Sequence, residues 1–542
     1  MISSSHIVGK QASPKCPALF VFLLISLFLS AGAFAKATLQ EPLSPQEKRG
    51  KQIYVQGTSA SRNEILAYLG EASLEVPGST MACANCHGLD GQGKPEGSIN
   101  PSNLTWDSLT KPYGVTLSSG RKHPPYTERG LELAITRGVD PGGNRLPNVM
   151  PRYQMSGVDM SDLIAYLKRL GKDRDPGISE INIVIGTVVP TSDALAEMGK
   201  AIKAVSIAFF EELNTQGGIY NRRFELRFVE TGDTPENTRG RVERFLKDEQ
   251  VFAMTGAFVA GADKEIVALM EKRQVPLIGP LTLYPQIGFP LNRQVFYLLS
   301  GLDGQARALV EFAANQQPTK ISSLAIVSPE SEANRSLIGA VKDQASKHGM
   351  NSVENYVYVT APLDVDEIAA KVQQKGQETI IFLGTGEAAL AFMKKAERLH
   401  WSPSLYLFSA NAGREVFDAP LSFNHKIFVS FPTLPADQTA EGVREFRALA
   451  EKYKLPSNHI VAQLSAYSAA KILVEGLKRA GKDVSREKLI TALESLNRFD
   501  TGLTPRISYG PNRRIGATGA YVVSIDLEKK QYVPTKEWVD IN

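Results

Sequence analysis

INIVIGTVVPTSDALAEMGKAIKAVSIAFFEELNTQGG, residues 181–218, opens on an unbroken apolar run, INIVIGTVV, of the kind found in strands covered on both faces. After a polar turn, Leu195, Met198, Ile202, Val205, Phe209 and Leu213 recur at the spacing of a helix buried along one side. NTQGG closes that helix, because glycine takes the left-handed backbone of a helix C-terminus without steric cost. The alternation then repeats: FELRFVE, VFAMTGAFV, VPLIGPL, SSLAIVSP, NYVYVT, TIIFLGTG and LYLFSA are each followed by a helical or loop stretch. Strands alternating with helices predict parallel, doubly wound sheets, with any ligand lying beyond the carboxyl ends of the strands.

Upstream, GKDRDPGIS at residues 171–179 is polar, carries Pro and Gly, and separates two different periodicities. It predicts a domain boundary, with a linker at 174–180, an α/β part at 181–542 and a smaller domain at 36–173.

The smaller domain holds CANCHG, residues 83–88. Two thiols three apart can each add to a vinyl group of one haem while the adjacent imidazole reaches its iron, so C-x-x-C-H predicts covalent attachment of one haem c by Cys83 and Cys86, with His87 as ligand. A redox dithiol would not need His87, and a zinc site would need a second pair of ligands that the three cysteines of the chain do not supply. For the second axial position the candidates are His123, Met150, Met155 and Met160. NVMPRY favours Met150, since Pro147 and Pro151 bracket it in a stiff loop. Met160 falls on the apolar face of a following helix with Leu163, Ile164, Leu167 and Leu170, which predicts core; Met155 reads as a staple beside the Ser156/Asp159 cap. His123 reads as an exposed loop histidine.

The N-terminus fits an exported protein. Lys10 and Lys15 precede ALFVFLLISLFLSAGAFA, which ends in Ala33-Phe34-Ala35, the pattern of a signal peptide over residues 1–35 cut after Ala35. That places the chain in the periplasm with no membrane span after cleavage, and removes Cys16. A mature chain of roughly 500 residues is too long for one core. The formal charge of +4, from 61 Lys and Arg against 57 Asp and Glu, gives no nucleic-acid stripe. No paired-carboxylate, Ser/His/Asp or HExxH arrangement points to an enzyme acting alone, and GTGEAA lacks the Lys and Ser/Thr of a phosphate loop.

EKRGKQIYVQG, CANCHG, MPRY and DMSDLIAYLKRLG, within residues 44–171, resemble a class I cytochrome c. The resemblance implies an all-α domain with His87 and Met150 as axial ligands, and PEGSINPSNLTWDSLTKPYG wrapping the haem edge, with Trp106 and Tyr113 as packing or propionate contacts. Residues 58–80 are an addition to that pattern. Residues 181–540 resemble a type I periplasmic binding protein of the branched-chain amino-acid receptor class, most clearly in IGTVVPTSDALAEMGKAIKAVSIAFFEELNTQGGIYNRRFELRFVETGDTPENT. That resemblance implies two α/β lobes joined by crossovers, closing on a ligand.

In the amino-acid receptors a hydroxyl residue and neighbouring amides hold the ligand carboxylate. Here Ala260 takes the hydroxyl's place, Leu281-Thr282-Leu283 replaces the usual Ser-Ala-Thr, Met198 stands for an aromatic, and Ala333-Asn334 for Tyr-Gly. The resemblance then places Met198, Phe258, Ala260, Thr282 and Asn411 at the cleft, with Met198, Phe258, Val259, Leu281 and Leu283 as an apolar wall that would bind a zwitterion poorly. The expectation is an electron carrier, passing electrons to a periplasmic redox partner, fused to a module that senses or recruits a small organic ligand other than a standard branched-chain amino acid. Lobe closure would then change which partner reaches the haem edge. The alternatives are a receptor for an ABC permease with an accessory haem, and an electron-accepting subunit of a periplasmic dehydrogenase with an empty cleft.

Overall fold

The helix Pro45–Gln56 begins at a reciprocal cap: the Ser44 hydroxyl accepts the Glu47 N–H at 3.2 Å, and the Glu47 carboxylate accepts the Ser44 N–H at 2.7 Å. It crosses Gly157–Arg169, the helix whose apolar face carries Met160, Leu163, Ile164 and Leu167 into the core. Gly50 lies at the crossing, where a Cβ would stand 1.9 Å from the Asp162 carbonyl oxygen. Arg49 grips the buried Asp162 carboxylate through two bonds of 2.6 and 2.9 Å. Gly50→Ala should therefore push the helices apart and destabilise the domain by about 1–3 kcal/mol, read as a lower thermal midpoint of this domain by circular dichroism; an unchanged midpoint would show that the crossing yields freely.

The computed structural model describes residues 43–541 apart from 71, 94, 96, 98, 118, 193, 317–322, 332–333, 351, 360–363 and 536–537. The expected signal peptide, Cys16 and Ala333 lie outside the described residues. The smaller domain carries β-structure that the helical reading did not include. The added stretch folds as a hairpin, Leu66–Leu69 with Leu74–Pro77, and Leu66–Leu69 pairs antiparallel with Arg152–Gln154, the strand that leaves the Met150 loop.

Beyond it stand two α/β lobes. The first sheet runs Ile515–Ala517, Val295–Leu299, Leu277–Ile278, Ala253–Thr255, Asn182–Val189, Arg223–Glu230, all parallel. The second runs Ser352–Tyr358, Ser323–Pro329, Thr379–Phe382, Ser404–Phe408, Ile427–Phe431 in parallel, then Gly519–Asp526 and Gln531–Pro534 antiparallel, so it is mixed. The chain passes from the first sheet to the second after Leu299, returns between Phe431 and Ala440, and crosses again between Ala517 and Gly519. Ile460–Ala480 is long and apolar enough to span a membrane, yet it is the core helix of the first lobe, with Ala469, Ile472 and Leu473 fully buried.

The segment joining the two parts is packed, although its composition reads as polar. Asp173 accepts from Lys51 at 2.6 Å and from the Tyr166 hydroxyl at 3.1 Å, both in the smaller domain. Two residues on, Asp175 accepts the backbone N–H of Arg486 at 2.5 Å, at the first residue of the helix Arg486–Glu494. Ile178 enters the first lobe's core. The Arg486 guanidinium is itself buried, donating to the carbonyls of Val251, Phe252 and Gln274. Val251 and Phe252 precede the strand Ala253–Thr255, and Gln274 precedes Leu277–Ile278, so the tether is anchored at the amino ends of the strands, opposite their carboxyl ends.

Candidate functional site

Cys83–His87 forms one short helix, which places the two cysteines about a turn apart and His87 at its end. Two buried phenols pin the flanks of this motif. The Tyr54 hydroxyl donates to the Gly88 carbonyl at 2.7 Å, and the Tyr153 hydroxyl donates to the Met81 carbonyl at 2.5 Å. Burial pushes both phenol pKa values up, which keeps the donors protonated.

A cavity of about 750 Å³ is lined by Cys83, Cys86, His87 and Met150 together, a size typical of sites for ligands and cofactors, roughly 300–1,000 Å³. His87 is 9% exposed, and its Nδ1 lies 2.9 Å from the Ser102 carbonyl oxygen. That contact makes Nδ1 the protonated nitrogen and leaves the Nε2 lone pair for a metal, the second-sphere arrangement of metal-binding histidines. Burial lowers the ring's pKa, against a smaller opposing effect of the Ser102 carbonyl, and favours the neutral form that coordinates. Burial also pushes the Cys83 thiol up to about 12. The donor set, the tautomer and the volume fit a haem c.

Met150 sits on a turn in which its N–H donates to the Pro147 carbonyl at 3.1 Å, and its side chain packs half-buried on the domain core. Met160 is 7% exposed and lies in that core; neither it nor Met155 lines the cavity. Two expectations need correction, those for His123 and Tyr113. His123 is not an exposed loop histidine: it is 8% exposed, lines the same cavity, packs edge-on against Tyr126 and has Nδ1 2.9 Å from the Pro124 carbonyl oxygen. The short strand Lys122–His123, paired with Val115–Thr116, turns its side chain inward, which neighbouring Pro residues and a basic context concealed. Tyr113 is exposed rather than a packing contact, whereas Trp106, although it does not line the cavity, packs half-buried on the domain core with Lys168 over its ring.

Arg121 is a cavity residue that sequence reasoning passed over. Its guanidinium is held at 2.7 Å by Asp140, a fully buried carboxylate. Burial alone would raise the Asp140 pKa, but hydrogen bonds from Asn144, Arg121 and Gly142 outweigh it and hold the group below the usual carboxylate range. The pair thus keeps a fixed cation at the cavity.

In the binding module, Met198, Phe258 and Leu281 pack together half-buried on one cluster of the first lobe, with Val189, Ile202 and Tyr467. Phe258 and Leu281 bridge neighbouring strands. Val259 does not belong to that wall: the pleat sends it into the core on the other face of the sheet. Ala260 is exposed, Leu283 is exposed, and Asn411 lies half-buried in the second lobe, in the short helix Ser409–Ala412. The Thr282 hydroxyl donates to Asp263, the first residue of the helix Asp263–Arg273, whose other carboxylate oxygen accepts the Gly261 N–H at 3.0 Å. Burial raises the Asp263 pKa, and the Thr282 and Gly261 bonds offset this in part. The polar end of this wall is therefore occupied by a side chain of the protein itself.

Comparison with known proteins matches both parts. Residues 182–531 fit the family described as periplasmic binding protein, and residues 78–171 the family described as cytochrome c. The Leu/Ile/Val-binding protein BraC3 of Rhizobium johnstonii is 19% identical over 334 residues, 61% of this chain and 89% of that protein. Among solved structures, a fatty acid ABC transporter substrate-binding protein from Thermomonospora curvata superposes with a TM-score of 0.51 at 18% identity, covering 68% of this chain and 95% of its own. A branched-chain amino acid ABC transporter protein from Thermus thermophilus with bound valine gives 0.51 at 20% identity, covering 67% and 96%. At these identities the structural likeness establishes the fold of the module.

Proposed function

The chain belongs to the periplasmic binding protein family, with a cytochrome c domain ahead of the binding module, and from that premise we propose that it is a periplasmic carrier of electrons on one covalent haem c. The observation that carries this reading is the meeting of Cys83, Cys86, His87 and Met150 at one cavity. In it Cys83 and Cys86 would hold the haem, His87 Nε2 and Met150 Sδ would be the iron's ligands, and the Arg121 cation would support the haem carboxylates. When bound, the haem would supply a one-electron couple, and a group held by both His87 and Met150 would suit outer-sphere transfer to a redox partner protein better than chemistry on a substrate.

The binding module then serves a small organic ligand or a docking partner, an ABC permease being the partner its family implies. Asp263 supports a ligand other than a standard branched-chain amino acid. A zwitterion's carboxylate brought to that helix N-terminus would meet a carboxylate already holding the Gly261 N–H and the Thr282 hydroxyl, and like charges in a desolvated site repel. The tether supports a haem domain that rides with the first lobe from the end opposite the cleft.

The test is the optical spectrum of the periplasmically expressed protein. Wild type should show a c-type reduced spectrum with the weak near-infrared band of sulfur-to-iron ligation. Met150→Ala should abolish that band while the haem stays attached. Survival of the band in the variant would remove Met150 as ligand.

A further inference from the structure

Met150 is presented by a turn in which Met150 N–H reaches the Pro147 carbonyl, and Leu146 N–H reaches the Gly138 carbonyl at 2.8 Å. Three carbonyls of this stretch, those of Leu146, Pro147 and Met150, are within reach of one side chain. Arg152 is fixed in the strand Arg152–Gln154, opposite Tyr68 of the added hairpin, and its guanidinium reaches back over the loop. One terminal nitrogen donates to the Leu146 carbonyl at 2.9 Å and lies 3.5 Å from that of Pro147; the other donates to the Met150 carbonyl. Among the described residues no carboxylate pairs with it. The guanidinium lies in a slot left open by Gly138, where a Cβ would stand 1.9 Å from Arg152 Nε and where φ is +65°.

We propose that Arg152 is the positioning residue for the Met150 thioether, its fork locking the 146–150 turn so that sulfur, rather than a competing nitrogen ligand, holds the distal side of the iron. This rests on the reading of Met150 as that ligand. A thioether carries no charge, so its hold on a metal depends on how little freedom the loop retains. A nitrogen competitor stands ready in His123, whose Nδ1 is engaged by the Pro124 carbonyl and which lines the same cavity. An arginine fork matches the task because its donors are planar and pre-arranged, whereas a lysine offers a point charge on a flexible stem.

The test uses the full-length holoprotein and exogenous imidazole as the competing ligand, with the near-infrared band as readout. Arg152→Gln should raise the apparent imidazole affinity about 10-fold or more, the usual scale for loss of an outer-sphere partner. Gly138→Ala, which fills the slot and leaves Arg152 in the chain, should shift the affinity in the same direction. Arg152→Lys, which keeps the charge without the fork, should behave like Arg152→Gln. Met150→Ala separates the two readings: survival of the band in that variant refutes Met150 as the ligand. If instead Met150→Ala loses the band while Arg152→Gln and Gly138→Ala keep wild-type imidazole affinity, the role given to Arg152 falls. Wild-type affinity in Arg152→Lys would overturn it too, because charge alone would then suffice.

Discussion

Replacing Cys83 and Cys86 together by alanine should leave no haem on the polypeptide after denaturation, where the wild-type chain retains it in full. Both thiols belong to one helical turn and line one cavity with His87 and Met150, so both bonds would be made from the same side of the same site. Without them only His87 and Met150 would hold the group, and coordination fails when the surrounding fold is unfolded. A single replacement leaves one bond and should still retain haem at lower yield. The measurement is haem staining of denatured protein after electrophoresis; a stained band for the double variant would sink the attachment site.

Arg486→Met should give the second large effect, on stability. The guanidinium is buried and satisfies the carbonyls of Val251, Phe252 and Gln274, where two strands of the first lobe begin. Burial lowers its pKa and the nearby Asp175 carboxylate raises it, so the cation is retained by its partners. Methionine matches the length but donates nothing, and leaves three buried carbonyls unpaired. At about 1 kcal/mol or more for each group left unsatisfied, the loss is about 3 kcal/mol. Asp175, whose own pKa burial pushes up, would also lose its compensating charge. Denaturant unfolding followed by far-UV circular dichroism should show the binding module unfolding at lower denaturant, with the haem-domain absorbance transition little changed. A shared midpoint equal to wild type would mean that water replaces the guanidinium without loss.

The meeting of Cys83, Cys86 and His87 could be read from sequence because their spacing is local: the three need only one turn of helix to reach one cavity. The alternation of strands and helices after residue 181 was equally visible, since buried strands and one-sided helices carry their periods locally. What escaped was shorter or less regular. Val295–Leu299 and Ile427–Phe431 were passed over, and the antiparallel edge of the second sheet depends on a crossover that returns the chain after Ala517. In the cleft, Val259 was assigned to the wrong face, because a single step along a strand reverses the side chain and no neighbouring residue marked the phase.

At the site the division is sharper still. His123 and Arg121 stand in one basic, proline-flanked stretch that reads as surface, and only the short pairing of Lys122–His123 with Val115–Thr116 brings them to the cavity. Arg152 reads as a charged residue after a methionine loop; its role needs the added hairpin on one side and the space above Gly138 on the other. The tether reads as a polar linker, yet Asp173 and Asp175 face in two directions and find Lys51 and Arg486, the latter 311 residues along the chain. Spacing within a helix or strand thus determined the Cys83–His87 cluster, the two architectures and their order along the chain. The partners of charged side chains, the hydrogen bonds around His87 and Met150 and the packing of the tether were decided by tertiary structure. They depend on distances closed between remote segments, which no local period records.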